Sequence, residues 1–286
     1  MSLLSIKKVA IVGAGTMGLG IAQVFASKGF ETILFDVNDE AIQRARARID
    51  KNLDGAVKRG KMTTDEKEQT LQRLTYTLNL DDLKADFILE AILEKLELKV
   101  DLFNQLADIN GDECIFATNT STIPITKIGA QIKQPGRLVG MHFFNPAHIM
   151  KLVEVISGAA TTPEIAQLTY DLAAHLGKVP VMASDSPGFI VNRVARHYYV
   201  ESLKVLEENV TNHEGIDKLL EASGFKMGPF RLMDLIGVDT NFSVTKSMYE
   251  SFHSDGKFRP SRIQELKVFA GHNGRKSGKG FYDYEE

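Results

Sequence analysis

The sequence predicts an α/β domain, built on a mainly parallel sheet with a helical-hairpin insertion, followed by an all-α C-terminal domain. Three observations carry this. Over the first 185 residues, short apolar runs alternate with longer stretches of helical periodicity, the signature of βαβ units. A glycine-rich turn joins the first apolar run to the first helical stretch. Beyond Ser184-Asp185-Ser186-Pro187-Gly188 the pattern changes, and no convincing strand appears before the tail. A chain of 286 residues suits about two domains, so the expected division is 1–185 and 186–286.

Strands are expected at residues 9–12, 32–35, 87–89, 115–118, 138–142, 152–156 and 179–183, each an apolar run of buried-strand length. Between the second and third, residues 40 to about 74 carry Ile42, Ala45, Ile49, Leu53 and Val57 at three- and four-residue spacing. That is more helix than one crossover requires, so a helical hairpin is expected to project from the sheet. In the second domain, Asp185 or Ser186 is expected to cap a long helix with Pro187 in its first turn. Thr211-x-x-Glu214 reads as a capping box. Pro229 is expected to open a helix at 230–236, Asp239 to cap one at 240–252, and Pro260 to open one at 261–269. Tyr198, Tyr199, Val205 and Leu206 widen the apolar face of the first of these helices beyond the needs of one packing partner. They point to a subunit interface and a homodimer through this domain.

Composition narrows the function classes. With 43% hydrophobic residues and 34 Lys+Arg against 37 Asp+Glu, the chain is an ordinary globular protein. A net charge of -3 leaves no electrostatic footprint for nucleic acid or an anionic membrane, so neither partner is expected. The lone Cys114 forms no intramolecular disulfide, and no His/Cys spacing suits zinc; a reducing cytoplasm and no metal are expected. Residues 9–27 run 19 residues without a charge behind Lys7-Lys8, as a signal peptide or membrane anchor would. Four glycines, Thr16 and Gln23 interrupt that run, so a strand, a turn and a buried helix read better.

Gly13-Ala14-Gly15-Thr16-Met17-Gly18 stands between a strand and a helix. The first glycine suits a tight turn, the second lets backbone approach a pyrophosphate, and the third permits close helix–sheet packing, with the helix N-terminus facing the phosphates. Asp36 ends the second strand, 18 residues after Gly18, where a carboxylate can bind ribose hydroxyls. Together they indicate a Rossmann-type dinucleotide site. Asp36 would repel a 2′-phosphate, and Val37 and Asn38 supply no cation, so NAD is expected rather than NADP.

Leu138–Pro146 carries His142, and Met150–Ile156 carries Glu154 on the same strand face as Leu152 and Ile156. A carboxylate among apolar neighbours is seldom left unpaired. A turn through Asn145-Pro146 could bring His142 beside it. A carboxylate on one imidazole nitrogen fixes the tautomer and leaves the other as a general base. A buried ion pair tying two strands fits the spacing equally well. His148, His175, His197, His213, His253 and His272 have no comparable setting.

At this point the motifs resemble a family. His142-Phe143-Phe144-Asn145-Pro146, then Met150-x-Leu152-Val153-Glu154-Val155, with Asn119-Thr120-Ser121 before and Ser186-Pro187-Gly188-Phe189-Ile190-Val191-Asn192-Arg193 after, are similar to the L-3-hydroxyacyl-CoA dehydrogenases, in particular the short bacterial 3-hydroxybutyryl-CoA enzymes. The likeness runs from the glycine loop to Gly278-Lys279-Gly280-Phe281-Tyr282. It implies NAD-dependent interconversion of a 3-hydroxyacyl-CoA and its 3-keto form, in fatty acid β-oxidation or butanoate metabolism. It implies His142 as general base, Glu154 as its orienting carboxylate, and Ser121 and Asn192 as ligands of the substrate's C3 oxygen. Thr16 and Met17 of the glycine loop, with Glu94, Lys99, Asn145 and Lys276, would lie near NAD. The hairpin matches the coenzyme A contact region, where Lys51, Lys58, Arg59 and Lys61 could meet phosphates, although a basic helical run also reads as a solvated face. The thioester would enter between the domains, and the second domain would close for chemistry.

One departure bears on the substrate. Where many butyryl enzymes carry Asn-His-Pro before Met-Gly-Pro, this chain has Gly224-Phe225-Lys226, with Arg231 shortly after. That resembles branches acting in aromatic catabolism, with substrates such as 3-hydroxyadipyl-CoA. Two rivals remain: a dehydrogenase of a free hydroxy or sugar acid, against which the intact His-Phe-Phe-Asn-Pro run argues, and a non-catalytic NAD-binding structural protein, against which Ser121, His142, Glu154 and Asn192 argue together. The length is expected to hold one dehydrogenase activity without a fused hydratase module.

Overall fold

The apolar runs of residues 1–186 become strands of one eight-stranded sheet. In chain order this unit holds β1 (Lys8–Val12), α1 (Thr16–Ser27), β2 (Glu31–Phe35), α2 (Asp39–Lys58), α3 (Thr64–Gln72), β3 (Leu74–Thr77) and β4 (Phe87–Glu90). There follow α4 (Leu96–Ile109), β5 (Ile115–Thr118), α5 (Ile125–Gly129), β6 (Leu138–Phe143), β7 (Leu152–Ser157), α6 (Pro163–His175) and β8 (Val179–Ser184). The computed structural model describes residues 3–284. The sheet order is β3-β2-β1-β4-β5-β6-β7-β8, and every pair is parallel except β6–β7. Val9 to Val12, Phe87 to Glu90 and Ile115 to Thr118 are buried without alternation, because helices cover both faces of a parallel sheet. Each large apolar side chain so buried contributes about 1.5–3 kcal/mol.

Two details depart from the pattern in the sequence. β3 was hidden, since Leu74-Thr75-Tyr76-Thr77 is a short polar edge strand in which only Leu74 is buried. The helical hairpin consists of α2, capped by Asn38, and α3, closed by a Thr63–Glu66 capping box. It does not simply project: Ile42, Ala45, Ile49 and Leu53 are in the main core, beside α1, and only Val57 is part-exposed.

Residues 187–286 form the second unit, with α7 (Val191–Glu207), α8 (His213–Ala222), α9 (Pro229–Ile236), α10 (Val238–Ser251) and α11 (Arg262–Phe269). Its caps differ from expectation. α7 begins at Val191 with no side-chain cap, and Asp185 instead accepts from Ile125 N and Thr126 N (3.0 and 2.7 Å) at the start of α5. Asn212, not Thr211, caps α8, accepting from Gly215 N. Gly237 precedes α10, so Asp239 lies in its first turn, and Ser261 caps α11. Tyr199 is buried in this unit's own core, and Tyr198, Val205 and Leu206 pack against it; the wide apolar face of α7 is used internally. The tail motif is structural too. Asp234 accepts from Phe281 N, Tyr282 N and Tyr284 OH, and a Cβ on Gly280 would come within 2.1 Å of its carboxylate. Among the described residues no helix is long and apolar enough to cross a membrane.

Candidate active site

The glycine loop follows β1 directly. Gly13 takes φ +100°, and a Cβ there would lie 2.7 Å from Ala91 O. A Cβ on Gly18 would come within 1.7 Å of Gly13 O, so the third glycine lets α1 close on the turn. Beside Gly15 there is nothing within 4 Å, and no side chain caps α1. Open backbone at an uncapped helix start is what a pyrophosphate requires. Thr16 is exposed and Met17 half-buried at the same turn. Asp36, at the end of β2, accepts from Ala14 N (2.8 Å) and Asn38 N (3.0 Å), which fixes its carboxylate beside the loop. The residues fit a dinucleotide.

His142 and Glu154 are direct partners in the β6–β7 register, so their side chains share one face. Both are nearly fully buried, and His142 Nδ1 lies 2.7 Å from Glu154 Oε2. The other ring nitrogen, Nε2, lies 3.1 Å from Ser121 Oγ. Asn119, at the end of β5, accepts from Phe143 N (2.8 Å) and ties the strand ends carrying Ser121 and His142 together. The three side chains predicted from separate motifs thus form one line in the first unit. Asn192 lies in the first turn of α7, in the second.

Glu94 and Lys99 belong to a network reaching Ser121. Glu94 Oε1 accepts from Thr120 Oγ1 (2.5 Å), Ser121 N (2.9 Å), Thr122 N (3.0 Å) and Thr122 Oγ1 (3.0 Å). Burial pushes its carboxyl up, but the Lys99 ammonium and these hydrogen bonds outweigh it and hold the carboxyl below the usual range. Lys99, 1% exposed, pairs with both Glu94 (3.2 Å) and Glu90 (2.5 Å). Glu90 escaped the sequence reading: it ends an apolar strand and matches no motif, and only a lysine nine residues on hinted at a buried partner. Elsewhere, Asn145 is exposed, and Lys276 pairs with Asp239 at 2.7 Å. Lys51, Lys58, Arg59 and Lys61 are exposed on or just after α2. Phe225 stacks on Tyr198 with ring centroids 4.8 Å apart, Lys226 is exposed, and Arg231 sits over the Tyr282 ring.

Comparison with known proteins agrees with this architecture. Residues 8–186 match the family model for the NAD binding domain of 3-hydroxyacyl-CoA dehydrogenase, and residues 188–284 match its C-terminal domain. The chain is 47% identical over 284 residues to the 3-hydroxyadipyl-CoA dehydrogenase of Escherichia coli, covering 99% of this chain but only 60% of that relative. It is 40% identical to the probable 3-hydroxybutyryl-CoA dehydrogenase of Bacillus subtilis, with 99% of both covered. The crystal structure of (S)-3-hydroxybutyryl-CoA dehydrogenase from Ralstonia eutropha superposes with a TM-score of 0.94 at 40% identity, covering 99% of this chain and all of that one. With both domain models matched in order across nearly its whole length, the chain belongs to the 3-hydroxyacyl-CoA dehydrogenase family, NAD-dependent oxidoreductases acting on a CH–OH group.

Proposed function

We propose that the protein oxidises the 3-hydroxyl of an L-3-hydroxyacyl-CoA, and reduces the 3-ketone in reverse, with His142 and Glu154 as its acid/base pair. The observation that carries this is the line Ser121–His142–Glu154, at 3.1 and 2.7 Å. Bound NAD supplies the hydride acceptor, held by the Gly13–Gly18 loop and Asp36. With Nδ1–H donated to Glu154, His142 Nε2 carries the lone pair that takes the hydroxyl proton. Glu154 then stabilises the imidazolium, as a carboxylate does when set against a cation in a low-dielectric site. Ser121 and Asn192 hold the C3 oxygen by hydrogen bonds that strengthen as charge develops on it. In the reverse direction the imidazolium returns the proton to that oxygen.

The acyl group proposed is 3-hydroxybutyryl, with Lys51 and Lys58 meeting coenzyme A phosphates. A second reading, 3-hydroxyadipyl, draws support from the name of the Escherichia coli relative and from Phe225, Lys226 and Arg231, two cations near an aromatic that could receive a distal carboxylate. For assembly we propose a homodimer through the second unit, where Val194, Leu219, Leu266 and Phe269 are exposed. A cytoplasmic location is proposed from the lone reduced cysteine.

Absorbance at 340 nm with NADH and acetoacetyl-CoA is the test. Turnover is expected; NADH binding without turnover would overturn the reading in favour of a structural protein. A kcat/KM higher for the six-carbon dicarboxylic thioester than for acetoacetyl-CoA would select the second substrate.

A further inference from the structure

We infer that Glu90 is a positioning residue for Ser121, acting through Lys99 and Glu94; this rests on the reading of Ser121 as a ligand of the substrate oxygen. Glu90 sits at the end of β4 with 0% exposure, and a carboxylate there is costly unless every lone pair has a partner. Both of its oxygens have partners. Oε1 accepts from Ile92 N (2.8 Å) and pairs with Lys99 Nζ (2.5 Å), while Oε2 accepts from Thr118 Oγ1 (2.8 Å).

From Glu90 two routes enter the loop that carries Ser121. In one, the Lys99 ammonium bridges to Glu94 Oε2, and Glu94 Oε1 gathers the Ser121 amide with donors from Thr120 and Thr122. In the other, Thr118 Oγ1 accepts from Thr120 N, and Thr120 Oγ1 accepts from Thr122 N and Ile123 N. Both converge on the segment that sets Ser121 Oγ 3.1 Å from His142 Nε2. Glu94 is not held by burial, because its side chain is 38% exposed; the Lys99 ammonium on its Oε2 anchors the carboxylate whose Oε1 takes the loop's donors. The buried Glu90–Lys99 pair supplies that anchor, and displacing a reacting group by an ångström is enough to cost a large factor in rate.

A double-mutant cycle tests this on the whole chain, with kcat for acetoacetyl-CoA reduction and the melting temperature measured together. Glu90→Gln and Ser121→Ala are each expected to lower kcat by at least about tenfold, whereas the double variant should fall no more than about twofold below Ser121→Ala alone. Thr118→Val, a milder change that removes one donor to Glu90, should lower kcat by roughly threefold, and that loss should likewise vanish in the Ser121→Ala background. It carries the test if Glu90→Gln does not fold. Losses that multiply in the double variants would show that Glu90 merely joins β4 to α4, and would overturn the proposal while leaving Ser121 in its role. Wild-type kcat in Ser121→Ala would remove that role itself, and the proposal with it.

Discussion

His142 and Glu154 stand opposite each other in the antiparallel β6–β7 pair, with Nδ1 2.7 Å from Oε2. The pairing is local in sequence, since only residues 144–151 separate the two strands, yet both groups are buried. In the proposed mechanism an imidazolium forms at His142, and Glu154, buried and 2.7 Å away, is the carboxylate set against it. Glu154→Gln keeps the shape and removes the charge. A hydrogen bond to a charged group contributes about 1.5–3 kcal/mol, so turnover should fall roughly 10- to 100-fold. NADH affinity, read by fluorescence titration, should stay within about twofold, because the contact that is weakened is the one with His142. Lost NADH affinity with unchanged turnover would contradict the role.

His142→Gln should cost more, at least about 100-fold in kcat, the low end for a missing general acid–base. Steady-state kinetics with acetoacetyl-CoA decide it. Near-normal turnover would leave only the reading of a buried pair tying two strands.

Much of this arrangement was legible in the sequence because it lies on regular elements. Glu154 could be placed by strand alternation, and Gly13, Gly15, Gly18 and Asp36 by their spacing around one strand–turn–helix unit. What was not legible depends on long-range contact or on a choice among neighbours. Asp185 looks like a cap for the helix just after it, yet it caps α5, some 60 residues earlier in the chain. Thr211 and Asn212 are both able to cap α8, and Asn212, the stronger capping residue, is the one that does. Glu90 and Lys99 read separately as a strand end and a helix residue; only the fold makes them a buried pair.

Two of the loop's three glycines, Gly18 and Gly15, separate folding from binding. Gly18→Ala gains helix propensity, about 1 kcal/mol, but its Cβ would meet a backbone oxygen at 1.7 Å, which cannot move without opening the turn. A net loss of about 3 kcal/mol or more is expected in urea unfolding. Gly15→Ala meets nothing within 4 Å at an ordinary φ of -68°, so stability should change by less than about 0.5 kcal/mol. Its methyl group occupies the open backbone face instead, and the Kd for NADH should rise at least about tenfold. Equal NADH affinity in Gly15→Ala and wild type would mean that the phosphates do not approach there.

Cys114 should be inert in the native state. It is buried at the start of β5, and burial pushes its thiol up to about 12. The thiolate is the reactive form, so at pH 8 roughly one molecule in ten thousand would carry it. Native protein is expected to release under about a tenth of an equivalent from a disulfide reagent in the minutes in which guanidinium-unfolded protein releases one full equivalent. Rapid native labelling would mean that the sheet opens locally at β5.

Asp36 is expected to set the cofactor preference. Its carboxylate is fixed by Ala14 N and Asn38 N, so it cannot swing away from a ligand seated at the end of β2. Two like unit charges about 4 Å apart repel by about 4 kcal/mol at the effective dielectric of a protein surface. Screening and water leave only part of that, but 1.4 kcal/mol already corresponds to a factor of about ten. The kcat/KM for NADH should therefore exceed that for NADPH by at least about tenfold. Asp36→Ser should narrow the ratio from both sides, losing the ribose contact for NADH and the repulsion for NADPH. A wild-type enzyme that used NADPH as well as NADH would show that the 2′ position does not lie against this carboxylate.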